Sequence, residues 1–362
     1  MEMLILIFVV FVLAVFSGLA ILDLNGFRTA NQEMHKTRSN YRPKTLVIVP
    51  CKGRDLTLKK NLLSLKNQDY SDYDIVAVVA DDSDEAVPYI KAAGIRYITA
   101  TSECTRCSAK VRSLATAFER FKGYDAYVTV DSDMVFGRLW LSTIIAPLAD
   151  KRVGLSTMYP RFIPKGGFWS ETKQVWNFVG ENMMNHRLTR FGCGGSNAFR
   201  RDLLDSRSMR FFKNSAYSLS DDICLTKIAR GKGLGIAYSR SPQPVTYCRE
   251  SFWSFFEWAN RQTAFVYMGY PNSINIGIVF YSAEILVFAS GVALSVLISP
   301  AFIVLLSHSA LAAWRNHRRA KGRAVDILAI SLLTPFLYLS NLLIARGMKT
   351  VTWRGITYRL RN

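Results

Sequence analysis

Twenty consecutive residues without a charge, Met3 to Leu22, set the first constraint on this chain. As a helix, such a run is long enough to cross a ~30 Å hydrocarbon core. It does not read as a cleaved signal peptide: only Glu2 precedes it, the apolar run is too long, and no small-residue cleavage pattern follows. Two more apolar stretches come late. One runs from Ile274 to Trp314 and is broken at Ser299-Pro300; the other, Val325 to Ala345, has Pro335 at its centre. The middle reads as an ordinary globular unit. The expected organisation is an anchor at 1–24, a globular domain at 41–245, interfacial amphipathic helices at 246–273, a transmembrane hairpin at 274–314, a re-entrant or transmembrane segment at 325–345, and a basic tail at 346–362.

Charge narrows the partner. Lys and Arg number 46 against 27 Asp and Glu, a formal net charge of +19. Such an excess suits nucleic acid, yet no nucleic-acid motif is present. Much of it flanks the apolar segments instead: Arg28, Lys36, Arg38, Arg42 and Lys44 after the first, Arg315 to Arg323 before the last. That placement fits the positive-inside bias and anionic headgroups, so the expected partner is the bilayer of the cell membrane, with the globular part cytoplasmic. Val325 to Ala345 is Arg-rich on both flanks, which a re-entrant or interfacial helix pair bending at Pro335 satisfies better than a simple crossing. Of six cysteines, the pair Cys104 and Cys107 has metal or redox spacing. No second ligand pair accompanies them, and reduced bystanders are expected in a cytoplasmic domain.

Within the globular part, strand and helix alternate. Thr45 to Pro50 and Asp74 to Ala80 read as buried strands, and Arg96 to Thr99 as a short one. Ala126 to Val130 is a fourth, running straight into Asp131-Ser132-Asp133. Leu56 to Leu65 has helical spacing, with Leu58, Leu62, Leu63 and Leu65 on one side, and Val111 to Phe121 is a second helix. The pattern predicts an open α/β sheet with helices on its faces, whose ligands bind at the carboxyl ends of strands. Asp81-Asp82 and Asp131-Ser-Asp133 both stand there. Hard carboxylate oxygens beside a diphosphate suit Mg2+ or Mn2+, which keep waters and take other ligands from phosphate. The alternative is a solvated acidic turn.

The motifs resemble those of a known family. Pro50-Cys-Lys-Gly-Arg-Asp55, Asn61-Leu-Leu-Ser64, Val79-Ala-Asp81, Lys110-Val-Arg-Ser-Leu114, Asp131-Ser-Asp133, Gly192-Cys-Gly-Gly-Ser-Asn-Ala-Phe-Arg-Arg201, Leu219-Ser-Asp-Asp222 and Val351-Thr-Trp-Arg-Gly355 run in order along the chain. Together they resemble the inverting glycosyltransferases of family two, and within them the ceramide and hopanoid glycosyltransferase branch. The resemblance implies a GT-A fold, an open mixed sheet of Rossmann-like type with membrane helices at both ends. It also implies transfer of a hexosyl group from GDP-mannose or UDP-glucose to a lipid or lipid-linked glycan, by single displacement with a divalent cation.

Residue roles follow from the same resemblance. Pro50, Lys52, Asp81, Asp82, Lys110, Asp131 and Arg261 are expected at the donor, and Asp131 and Asp133 at the cation. Gly194, Gly195, Ser196, Asn197 and Trp258 are expected on the acceptor side. Asp222 is expected as the general base, with Asp221 as its rival. One departure stands out: relatives carry Gln-x-x-Arg-Trp near the membrane, while this chain has Trp258-Ala-Asn-Arg261-Gln262. The alternatives are a processive polysaccharide synthase and a non-catalytic nucleotide-sugar-binding scaffold. The synthase needs more membrane segments than these, and the scaffold has no use for the acidic pair.

Overall fold

The computed structural model describes residues 2–30, 40–104 and 106–360. Lys36, Arg38 and the side chain of Arg28 lie outside that description. Helix α1 spans Glu2–Ala30, and the α/β unit opens with β1 (Thr45–Pro50), α2 (Leu58–Lys66), β2 (Tyr73–Val79), α3 (Val87–Ala92) and β3 (Arg96–Thr99). It continues through α4 (Ala109–Arg120), β4 (Ala126–Val130), β5 (Met134–Val135), α5 (Trp140–Ile145), β6 (Val153–Thr157) and β7 (Arg161–Pro164). Next come α6 (Phe168–Met183), β8 (Ser196–Arg200), α7 (Ser206–Asn214), α8 (Asp221–Gly231), β9 (Gly235–Tyr238) and β10 (Val245–Cys248). The C-terminal part holds α9 (Phe252–Gly269), α10 (Pro271–Leu297), α11 (Ser307–Arg319), α12 (Ala324–Gly347) and the strands β11 (Thr350–Trp353) and β12 (Ile356–Arg359).

Among the described residues the main sheet has seven strands in the order β3-β2-β1-β4-β8-β6-β9. Its first four strands are parallel, and β8 runs antiparallel to both β4 and β6. Both faces are covered, which is why β1 and β4 are unbroken apolar runs. Along β1 the side chains alternate: Val47 and Val49 meet Leu58, Leu62 and Trp140 on one face, while Leu46 and Ile48 meet Leu114, Phe212 and Leu225 on the other. The face of α2 differs from expectation at one position. Leu58, Asn61, Leu62 and Leu65 are buried, but Leu63 is 50% exposed. At 3.6 residues per turn it lies about 140° from Leu58. Cys104 and Cys107 are joined as a disulfide in the loop before α4, where reduced thiols were expected.

Glu2–Leu22, Pro271–Leu297 and Ala324–Gly347 are long and apolar enough to cross a membrane. The stretch after Pro300 takes a form the apolar pattern did not predict. A 3-10 segment, Pro300–Leu306, folds back along α10 and leads into the polar α11, which packs on α12. There His308 Nε2 lies 2.7 Å from Glu284 Oε1, so the carboxylate within the apolar helix has a partner. Val12 and Leu19 of α1 pack on the same hairpin through Val287, Leu294 and Leu305.

Helix α12 is continuous, with Pro335 inside it, and not the broken pair expected. Tertiary packing is the reason. One stripe, including Ile327, Ile330, Thr334, Leu337, Asn341 and Ala345, is buried along its length. Such packing holds a helix across a missing backbone bond. The Tyr338 ring stacks between Trp176 and Tyr281, with centroids 4.8 Å away on each side. Asn341 accepts from Trp176 Nε1 at 3.1 Å and donates to Asn260 Oδ1 at 2.7 Å, tying α12 to α6 and α9. Asn341→Ala strands both partners and should lower stability by about 1–3 kcal/mol. Denaturant unfolding of the detergent-purified protein measures this; an unchanged midpoint removes the bridge from the account.

Candidate active site

The sheet topology gathers the site. β1, β2 and β4 end on one edge, and antiparallel β8 begins there, Val130 pairing with Ser196. The Gly194-Gly195 loop therefore arrives beside Asp131, although 63 residues separate Gly194 from Asp131 in the chain. Helices α4 and α8 reach the same edge with their N-termini, bringing Lys110 and the Asp221-Asp222 pair.

Lys110 stands at the centre. Its Nζ is 2.6 Å from Asp131 Oδ1 and 3.0 Å from Asp221 Oδ1, and it donates to the Gly194 carbonyl at 3.1 Å. Burial by itself depresses an ammonium, but the carboxylates of Asp131 and Asp221, with Asp222 behind them, hold Lys110 above the ordinary lysine range. Asp221 is buried. Burial pushes its pKa up to about 7 against the pull of Lys110, with the like charges of Asp222 and Asp131 adding to the rise. Its Oδ2 has no hydrogen-bond partner. Ser220 caps the helix, its hydroxyl accepting from the Ile223 N–H at 3.4 Å, and Asp222 Oδ1 accepts from the same N–H at 2.9 Å and from the Ser220 hydroxyl. The two glycines form the opposite wall. A Cβ on Gly194 would lie 3.6 Å from Asp222 Oδ2 and 3.8 Å from Asp221 Oδ1, and one on Gly195 would strike the Met134 side chain.

Asp131-Ser-Asp133 is braced from below by α2. Thr57 donates to the Asp133 carbonyl at 2.8 Å, and Asn61 to the carbonyls of Asp131 at 3.0 Å and Met134 at 2.7 Å. Burial, then the charges of Asp131 and Asp55, push Asp133 up to about 6 against Arg354 and Lys173. Asp133 Oδ1 is buried with no hydrogen-bond partner, and Oδ2 meets Thr246 at 3.4 Å. An unpaired carboxylate oxygen beside a second carboxylate fits a hard cation. Among the described residues no group of three or more His, Cys, Asp or Glu converges as a self-sufficient metal site.

The remaining expected residues divide. Asp81 is exposed at the end of β2, its carboxyl held below the usual range by hydrogen bonds from Ser83; Asp82 beside it is exposed as well. Lys52, in the loop that follows Pro50, donates to the Arg354 carbonyl at 2.9 Å. Ser196 is a correction: its hydroxyl accepts from Trp140 Nε1 at 2.9 Å and faces the core. Strand alternation then puts Asn197 on the other face, where both amide atoms are buried without a partner. Trp258 packs on Trp176 at 5.0 Å, and Lys173 Nζ lies 4.4 Å from its ring centroid. One turn on, Arg261 makes no hydrogen bond or ion pair among the described residues; burial draws its pKa down against Glu257, and Arg354 adds to the fall.

Sequence reasoning missed Asn61, Thr57 and Arg354 as site residues. Asn61 was findable, being the one polar residue on the buried face between Leu58 and Leu62. Lys110→Met leaves the buried Asp221 carboxylate unpaired and should cost about 3–5 kcal/mol of stability. Chemical unfolding measures it, and a stability equal to wild type contradicts the pairing.

A family model described as glycosyl transferase family 21 matches residues 6–362. No curated protein matches the chain. Among solved structures it is similar to a mannosyltransferase from Pyrobaculum calidifontis in complex with GDP-Man and Mn2+, at 17% identity over 94% of this chain and 97% of that one, TM-score 0.59. A more distant likeness is to glucosyl-3-phosphoglycerate synthase from Mycobacterium tuberculosis in complex with Mn2+, UDP and glucosyl-3-phosphoglycerate, at 15% identity over 62% and 79%, TM-score 0.42. The first likeness extends over nearly the whole of both chains and shows a shared GT-A fold.

Proposed function

Because the chain belongs to glycosyl transferase family 21, we propose that it moves a hexosyl group from a nucleotide-sugar to a lipid or lipid-linked glycan at the cytoplasmic face of a cell membrane. The observation that carries the reading is the convergence of Asp131, Lys110, Asp221, Asp222 and the Gly194-Gly195 backbone at one sheet edge. GDP-mannose is the first candidate donor and UDP-glucose the second. Acceptance from a lipid is supported by the helices around the site that are long and apolar enough for a membrane.

In this reading Asp81 accepts from the base, and Pro50 and Lys52 line the ribose. Asp131 and Asp133 would hold Mg2+ or Mn2+, which when bound supplies Lewis-acid stabilisation of the departing diphosphate. Arg261 and Lys110 add fixed positive charge to that side. Asp222 takes the proton from the acceptor hydroxyl as its oxygen bonds the anomeric carbon; the bond to the diphosphate breaks and its electron pair leaves with the phosphate oxygen. One displacement inverts the centre. Asp222 is preferred over Asp221 because Lys110 already holds Asp221, while Asp222 Oδ2 faces the Gly194 wall.

Nucleotide-sugar affinity and initial rate, measured on three variants, test these roles. Asp222→Asn should keep donor affinity and lose roughly 10²–10⁴-fold in rate. Asp221→Asn should lose less, and Asp133→Asn should lose cation-dependent donor binding along with rate. If Asp221→Asn is dead while Asp222→Asn works, the base is one residue earlier; if both work, the pair is only a helix cap.

The contacts of α12 support this membrane placement. Near its start, Arg319 pairs with Glu181 at 2.6 Å and the Lys321 N–H donates to Gln174 at 3.0 Å. Beyond its end, Arg354 pairs with Asp55 at 2.7 Å. Both ends thus contact the same α/β domain, and a buried stripe runs between them. Val325, Leu328, Phe336 and Leu343 are exposed on the other side. A helix about 36 Å long by its 24 residues that is tied so at both ends lies along the interface with its apolar side toward lipid. A cysteine at position 362 should then be labelled only from the side that carries the α/β domain. Labelling from the opposite side alone means that α12 crosses.

A further inference from the structure

The pair Cys104 and Cys107 has no part in the roles above, yet it stands at the foot of the helix that carries Lys110. Their Cα atoms are 5.8 Å apart, within the usual span of bridged cysteines, and the sulfurs are joined. The chain is held on either side of the bridge. Before it, the N–H groups of Thr101 and Ser102 donate to Thr116 Oγ1 at 3.1 and 2.9 Å, and Arg112 Nε donates to the Ser102 carbonyl at 3.1 Å. After it, the Ser108 N–H donates to the Ser218 carbonyl at 3.0 Å, and the Ser108 hydroxyl caps α4 by accepting from the Val111 N–H at 3.2 Å. Ser218 belongs to the turn that leads into Asp221 and Asp222. The residue after Cys107 therefore joins the start of the lysine helix to the acidic pair.

The surroundings suit a bond that opens and closes. Both cysteines are half-buried, whereas Cys51, Cys224 and Cys248 are buried free thiols. Burial pushes Cys51 and Cys224 up to about 12, away from the reactive thiolate. Cys107 instead immediately precedes the N-cap of a helix of 12 residues, whose N-terminal end favours a negative sulfur. Arg106 lies between the two cysteines in the chain, and Arg112 reaches back to the same loop; the one carboxylate of that loop is Glu103. An accessible bond with stabilised thiolates exchanges readily with other thiols. On the cytoplasmic side of a membrane such bonds serve as reversible sensors and not as permanent staples.

We propose that Cys104 and Cys107 are a reversible dithiol–disulfide site whose closed form fixes the first turn of α4, and with it Lys110, between Asp131 and Asp221. The oxidant for closure is a small disulfide such as oxidised glutathione. The thiolate of one cysteine attacks it, forming a mixed disulfide and releasing one small thiolate. The thiolate of the other cysteine then attacks the protein sulfur of that mixed disulfide and releases the second. Two electrons pass from the cysteines to the small disulfide, and the two protons end on the released thiols. An excess of small thiol drives the reverse. Once open, the stretch between the Ser102 and Ser108 anchors loses its cross-link, and the first turn of α4 is free to fray. The consequence for the donor rests on the nucleotide-sugar reading above; the redox site does not.

Graded mixtures of reduced and oxidised glutathione, applied to the full-length protein in detergent, test this. Alkylation read by peptide mass should show Cys104 and Cys107 opening and closing together, reversibly. The Val111 and Arg112 amides both donate to Ser108. Their hydrogen exchange should quicken roughly tenfold or more on opening, as expected when a local cross-link is lost. Affinity for GDP or UDP with Mn2+, whichever binds tighter, should fall roughly three- to tenfold over the same mixtures. Cys104→Ser combined with Cys107→Ser should exchange like the opened wild type and ignore the mixture. A bond that stays closed throughout is a permanent staple, and the inference falls. It falls too if exchange or nucleotide affinity is equal in both states, or if the double variant still responds, since another thiol then carries the effect. A protein that binds neither nucleotide in either state overturns the donor-site reading alone, and alkylation with hydrogen exchange still decides the redox site.

Discussion

The ammonium of Lys110 is the contact on which the rest of the site depends. Three carboxylates, Asp131, Asp221 and Asp222, converge at the edge of a sheet whose interior is apolar on both faces. Without a cation among them, mutual repulsion and desolvation would force protonation or drive the elements apart. Lys110 answers this from a helix whose N-terminus is fixed by Ser108, and it also binds the Gly194 carbonyl. One side chain thereby sets the spacing of the donor-side carboxylate, the acidic pair and the acceptor-side loop. Three carboxylates with one ammonium still leave surplus negative charge beside Asp133, a surplus that suits a divalent ion.

That contact works because the sheet reverses direction at β8. In an all-parallel sheet, the residues preceding the strand beside β4 would lie at the opposite edge, away from Asp131. Antiparallel pairing of β8 brings Gly194 and Gly195 to the chemical edge and puts Asn197 opposite both Thr129 and Thr157. The glycines matter at that point for space and not for conformation: side chains there would press on Met134 and Lys110. Backbone can then line the pocket where a β-carbon could not.

What was legible in the sequence was local. Buried strands announced themselves as apolar runs ending in acids, because both sheet faces are covered and ligands meet strand ends. The acidic pair and the Asp-Ser-Asp turn were visible for the same reason. Ser196 and Asn197 could not be told apart, since the choice of face depends on strand register, which β4 and β6 decide from 66 and 40 residues upstream. The Arg354 contact with Asp55 spans 299 residues and follows from the path of the C-terminal helices α9 to α12. Pro335 misled because proline breaks an isolated helix, whereas α12 is held by packing along its whole buried stripe.

Packing and chemistry meet in α12 and its flanks. The segment before it is pinned by Arg319 to Glu181, and the segment after it delivers Arg354 to Asp55. Between them the stack of Trp176, Tyr338 and Tyr281 joins α6, α12 and α10 through flat, rigid rings. Trp176 also touches Trp258 on α9, one turn from Arg261. The same aromatic contacts thus join α10 and α12 to the helix that carries Arg261. Both guanidinium groups are placed by C-terminal elements, Arg261 by α9 and Arg354 by the β11-β12 hairpin, while Asp131, Asp133, Asp221 and Asp222 are placed by the sheet edge or by α8. The carboxylates and Lys110 belong to the α/β domain, and the two guanidinium groups to the C-terminal part. Their fit to one another therefore depends on how the α/β domain packs against α9, α12 and the hairpin.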